Sequence, residues 1–143
     1  MLTPSNIQVK KLNDSATIPK YATKGAACFD IYASEEVICL AGVNNIPTGL
    51  AFEIPDGCAM LIYSRSGLAS RGYKLANCVG VIDSDYRGEL IIMLQCAGSK
   101  RVEAGERIAQ GMIVPCPQID FILADELSET DRGAGGFGST GTK

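Results

Sequence analysis

Two aspartates, Asp83 and Asp85, stand in the stretch NCVGVIDSDYRGEL, with Asn77 six residues before the first and Tyr86 directly after the second. A carboxylate beside an aromatic wall and one amide side chain has the parts of a base working on a small molecule. The same letters also make an ordinary surface hairpin turn, and the spacing alone admits both readings. The chain has no histidine, which excludes Ser-His-Asp and Cys-His mechanisms. A base acting near neutral pH is then a carboxylate, a perturbed lysine or metal-bound water.

Three further stretches could hold an anion. In YSRSGLASRG (Tyr63–Gly72), Arg65 offers a planar fork for phosphate, and Ser66 and the Gly67 amide add hydrogen bonds. Its other reading is a turn with an exposed arginine. GERIAQG (Gly105–Gly111) supplies Arg107 and Gln110 beside an apolar run, or is a solvated turn entering a strand. The C-terminal RGAGGFGSTGTK holds five glycines in twelve residues. Gly133 and Gly138 approach the spacing of the phosphate-binding loop G-x-x-x-x-G-K-[ST], but Ser139 stands where lysine belongs and no strand precedes it, so it is not that loop. The physics is shared, since glycines permit positive φ and exposed N–H groups, with the hydroxyls of Ser139 and Thr140, can wrap phosphate oxygens. Phe137 on such an arm is suited to stacking on a flat ring such as a nucleobase. A frayed tail is the alternative.

Short strands must position these residues. CFDIYA, EVICL, GLAFEI, AMLIY, CVGVI, ELIIML, RIAQGMIV and IDFIL are apolar, β-branched runs, separated by turn chemistry at Ala41–Asn45, Pro55–Gly57, Asp83–Gly88 and Ala97–Lys100. Turn signals every 8–15 residues predict an all-β fold, a sandwich or barrel, with one short helix around Ser66–Arg71. No βαβ alternation is present, against a Rossmann or P-loop fold. Leu90–Leu94 is apolar at five consecutive positions, where a half-exposed strand would alternate. Either it is a central strand or a second subunit covers one face.

The chain's 143 residues suit one domain, and a 46% hydrophobic share argues against disorder. A formal charge of −3 and a pI near 4.9 leave no footprint for a nucleic-acid polymer. A bound anion must then rely on a few localised arginines. No stretch reads as a membrane span, and the N-terminus lacks a secretory apolar core, so the expectation is an intracellular protein, cytosolic by default. Six cysteines lie 11 to 20 residues apart within apolar runs, without C-x-x-C spacing. Buried reduced thiols are expected, and a structural zinc site is not.

Taken in order, AACFDIYAS, SRSGLAS, NCVGVIDSDYRGE, GERIAQ and RGAGGFGSTG resemble the five motifs of the homotrimeric dUTPases, and the resemblance spans Ala26–Gly141. It implies a jelly-roll-like β-barrel domain over residues 1–131 and a flexible arm over 132–143 that closes over an active site. It implies a trimer whose sites lie at subunit junctions, with motifs one, two and four from one chain, the third from a neighbour and the arm from the remaining chain. The implied reaction converts dUTP and water to dUMP and pyrophosphate with Mg²⁺ on the triphosphate, limiting uracil incorporation into DNA and supplying dUMP for dTMP synthesis. Asp83 would be the base, Asp30 would orient water around the metal, and Arg65, Ser66, Gly67 and Gln110 would contact phosphates. Asn77, Val81 and Ile82 would read uracil with a backbone contribution from Ile91, and Tyr86 would pack on deoxyribose where a 2′-hydroxyl would clash. Arg132 would anchor the arm, Phe137 would cover uracil, and Gly138, Ser139 and Thr140 would surround the terminal phosphate. Arg107 would support the site.

Two residues depart from the family pattern. Cys28 stands where glycine is common, at a cost of about 1–2 kcal/mol if that position uses positive φ. Ser64 replaces a usual proline, which would loosen the loop before Arg65. The dCTP deaminases share the fold and some motifs, but GVIDSDYRG and the full glycine arm favour the triphosphatase. A non-catalytic nucleotide-binding or signalling jelly-roll module is the rival of another class, and an intact Asp83 argues against it.

Overall fold

Most of the apolar runs become strands where Gly, Pro or Asn can close them. A computed structural model describes residues 6–137 and 139. In chain order the strands are β1 (Gln8–Lys11), β2 (Lys20–Tyr21), β3 (Phe29–Tyr32), β4 (Val37–Cys39), β5 (Gly42–Pro47), β6 (Leu50–Glu53) and β7 (Cys58–Tyr63). The helix α1 (Ser66–Ser70) follows, then β8 (Tyr73–Leu75), β9 (Gly80–Ile82), β10 (Ile91–Cys96), β11 (Lys100–Val102) and β12 (Arg107–Pro115). This is the expected all-β, jelly-roll-like sandwich with one short helix.

The largest sheet runs β2-β3-β12-β7-β9, and a second runs β5-β10-β8, with the pairs β1-β6 and β11-β4 beside them. Every pairing is antiparallel. One core fills the space between the sheets, built from Ile31, Ile46, Leu50, Ile54, Met60, Ile92, Leu94 and Ile108 among others. Gly111 on β12 faces Phe29 on β3, and a Cβ there would fall 2.7 Å from the Phe29 ring. Close packing of the two strands therefore requires glycine at that position.

Several expectations change. IDFIL forms no strand, and Ile119, Phe121, Ile122 and Leu123 are exposed instead. Among the described residues the stretch has no partner strand to take up its backbone groups. AGVNN, read as a turn, runs into β5, while β1, β2, β8 and β11 carry too many charged or polar residues to announce themselves. The strand β10 alternates outward and inward residues, so only one face of Leu90–Leu94 is covered by this chain, and Ile91 and Met93 are exposed. The six thiols are free as expected, but Cys78 and Cys116 are exposed and only Cys39 and Cys96 are buried.

Candidate active site

The five-stranded sheet gathers the charged residues of the first, second and fourth motifs. Gln110 on β12 lies between Asp30 on β3 and Tyr63 on β7. Asp30 is buried, and its carboxylate is held by Arg65 Nε at 2.8 Å and Arg107 Nη1 at 3.3 Å. Arg65 also reaches the Arg107 carbonyl at 3.5 Å, and Gln110 Nε2 donates to the Ser64 carbonyl at 2.9 Å. The β3–β12 register shifts between Arg107 and Ala109, at the residue whose side chain reaches Asp30. Two cations on one buried carboxylate leave a net positive site with their donors fixed, which suits a polyanion. Ser66 and Gly67 stand exposed beside it at the start of α1.

The third motif builds a second wall, at the β9 edge of the same sheet. Ala76 to Val79 turn sharply before β9, where Val79 N–H donates to the Asn77 carbonyl at 2.6 Å across Cys78, whose φ is 60°. A non-glycine residue in that conformation stores of order 1–3 kcal/mol, and such strain persists where the surroundings over-determine it. Cys28 is not among the described non-glycine residues with positive φ, so the condition for a cost there is not met. After β9, Asp83, Tyr86 and Ile91 join Val81 and Ile82 around a cavity of about 210 Å³. Asp83 is exposed at its rim and accepts the Tyr86 N–H through its backbone carbonyl at 3.2 Å.

Tyr86 is held from below. Its hydroxyl donates to the Glu89 carbonyl at 2.9 Å, and a Cβ on Gly88 would overlap that hydroxyl. The Glu89 side chain accepts the Gly49 N–H at 2.7 Å, and Thr48 donates to the Leu90 carbonyl at 2.6 Å. The turn that carries Asp83 and Tyr86 is therefore moored to the β5–β6 connection. The roles of Glu89 and Gly88 were not legible in the sequence, although both lie inside the third motif.

The expected loosening at Ser64 is countered by its hydroxyl, which accepts the Leu75 N–H at 3.3 Å, a bond proline could not accept with its side chain. Within the arm, Arg132 Nε donates to the Gly135 carbonyl at 2.8 Å, and Phe137 is fully exposed at a φ of 50°. Ser139 N–H donates to the Gly136 carbonyl at 3.0 Å, while Gly138 and Thr140 lie outside the described residues. Among the described residues no ion pair or side-chain hydrogen bond joins the Asp30 group, the Asp83 wall and the arm; the first two are linked only through the backbone ladder of the sheet. None forms a cluster of three or more metal-ligating side chains. No described helix is long and apolar enough to cross a membrane.

A sequence model of the dUTPase family matches residues 14–141. The deoxyuridine 5'-triphosphate nucleotidohydrolase of Nautilia profundicola is 49% identical over 139 residues, covering 94% of this chain and 98% of that protein. The solved dUTPase of Staphylococcus bacteriophage 80alpha with dUPNHPP is 32% identical with a TM-score of 0.88, covering 97% of this chain and 100% of that one. A variant dUTPase from phage phi11 of S. aureus, in which a structural Mg(II) ion is coordinated, is 25% identical with a TM-score of 0.78 over 85% of this chain and 98% of that one. With the family model matching across the fold and relatives near half identical over almost the whole chain, this chain belongs to the dUTPase family.

Proposed function

We propose that this chain hydrolyses dUTP to dUMP and pyrophosphate, with Asp83 as the base. The carrying observation is the placement of Asp83 at the rim of the cavity closed by Tyr86 and lined by Val81, Ile82 and Ile91. In a chain without histidine, an exposed carboxylate there is the group placed to act as a base. Asp83 aligns water against the α-phosphorus and accepts its proton. The new bond is from water oxygen to α-phosphorus, and the bond to the α–β bridging oxygen breaks, releasing pyrophosphate. Asn77 and the backbone of Val81, Ile82 and Ile91 read the uracil edge, and Tyr86 packs against deoxyribose.

Arg65, Ser66, Gly67 and Gln110 bind the phosphates, and Arg107 supports them through Asp30. Mg²⁺ fits this arrangement as an ion carried mainly by the triphosphate, because Asp30 is a single buried carboxylate already engaged by two arginines. Bound there, it would offset charge on the leaving pyrophosphate. Asp30 would act toward it through ordered water. The arm, residues 132–143, closes with Phe137 over uracil and Gly138, Ser139 and Thr140 around the terminal phosphate, anchored by Arg132.

The lack of any side-chain contact between Asp83 and the Asp30 group, with β7 standing between β12 and β9, supports a homotrimer in which each site is completed by neighbouring chains. Exposed apolar residues support the same assembly, on β10 at Ile91 and Met93 and after β12 at Phe121 and Leu123. The test is pyrophosphate release from dUTP against dCTP, dTTP and UTP, with and without Mg²⁺. Release from dUTP alone is expected. Ammonia from dCTP, or no release from any of them, would overturn the assignment.

A further inference from the structure

Resting on that reading, we propose that Arg71 and Glu106 form a clasp that positions Arg65–Gly67 for the triphosphate while leaving nucleoside recognition untouched. A helix of five residues does not hold itself together in water. Here α1 has no side-chain N-cap bond and no acidic residue in its first turn, and of its residues only Leu68 is buried. Its geometry must be imposed from outside, at both ends.

At the far end, the Arg71 guanidinium pairs with Glu106 Oε1, while Glu106 Oε2 accepts the Glu103 N–H at 3.0 Å. Arg71 also lies 5.6 Å from the centroid of the buried Tyr73 ring, and Lys100 lies 5.3 Å from the same ring and donates to the Arg71 carbonyl. The Glu106 hydrogen bond holds the guanidinium pKa up. At the near end, Arg65 is fixed by Asp30 and by the Arg107 carbonyl. Glu106 and Arg107 are consecutive, so both ends of α1 are fastened to one two-residue stretch. The links close a ring through Arg65, Asp30, Arg107, Glu106 and Arg71. Neither Arg71 nor Glu106 lines the cavity beside Asp83.

These are positioning residues, and the consequence is a loss that scales with phosphates. For Arg71→Met, the KM for dUTP should rise about 3- to 10-fold, while binding of deoxyuridine, followed by NMR, stays within about twofold. Binding of Mg²⁺-tripolyphosphate, measured by calorimetry, should weaken with KM, and Arg71→Lys should recover most of the loss. Arg71→Met combined with Glu106→Gln should lose no more than the worse single variant, with thermal midpoints recorded to confirm folding. Equal losses for deoxyuridine and dUTP, or an unchanged KM in a folded variant, would overturn the clasp. If the unaltered chain releases no pyrophosphate from dUTP, the functional reading fails. Tripolyphosphate binding then decides the clasp alone, weakened binding in Arg71→Met supporting it and equal binding overturning it.

Discussion

In the proposed reaction Asp83 and Tyr86 divide the work at one turn, and each can be removed separately. Asp83→Asn keeps the shape of the side chain and removes its basicity, so turnover should fall about a hundred- to ten-thousand-fold. Binding of a non-hydrolysable dUTP analogue should stay within a few-fold, and a parallel loss of binding would show that the carboxylate serves affinity. Gly88→Ala acts on Tyr86 without altering it, because the added methyl overlaps the tyrosine hydroxyl. The ring is a movable side chain, so the protein should fold. Its preference for dUTP over UTP, as a ratio of kcat/KM values, should drop about tenfold or more. An unchanged ratio would remove Tyr86 as the barrier to a 2′-hydroxyl. The thiols differ in the same local way. Burial pushes the Cys28 and Cys39 thiols up, so they stay protonated to higher pH than an ordinary thiol and form less of the reactive thiolate. Alkylation at pH 8, mapped by peptide mass, should reach exposed Cys78 and Cys116 first.

At the scale of elements, the strands rich in β-branched and aromatic residues were legible because burial and propensity agree there, as in β3, β7 and β12. Strands such as β1 and β11 were not, since KK and KR carry no apolar signal and their pairing to β6 and β4 is decided by distant partners. IDFIL shows the reverse failure, because an apolar run specifies burial without specifying where the burial occurs. The motifs gave the identities of Arg65, Asp30 and Gln110, but the register that sets Gln110 between Asp30 and Tyr63 is a property of the sheet. The clasp from Arg71 to Glu106 spans 35 residues and has no local signature. One close approach governs the packing of that sheet. Gly111→Ala must push aside the Phe29 ring, which packs edge-on against Tyr21. The expected cost is about 1–3 kcal/mol in urea unfolding. A change below a few tenths would mean that the β3–β12 contact is softer than its geometry implies.

For the molecule as a whole, the decisive feature is that the proposed base Asp83, past the edge strand β9, and the arginine pair on Asp30 share no side-chain hydrogen bond or ion pair among the described residues. If each site combines Arg65 of one chain with Asp83 of another, two inactive proteins should complement each other. Asp83→Ala chains retain the arginine group and Arg65→Ala chains retain the base. After the two are mixed, dissociated and reassembled in equal amounts, each site draws its two walls at random. The arginine wall is intact with a chance of one half, and so is the Asp83 wall, giving about a quarter of unaltered activity in a symmetric assembly. The same mixture without dissociation should stay inactive, which controls for residual activity in either variant. Sedimentation of the unaltered protein should give three times the 15.1 kDa chain mass. Charge reversal at Leu123, one of the exposed residues after β12, should lower both the assembled fraction and the turnover if that segment seats on a neighbour. Full activity from a monomer, or no recovery on mixing, would place Asp83 and Arg65 of the same chain in one site. The arm would then have to bring them together.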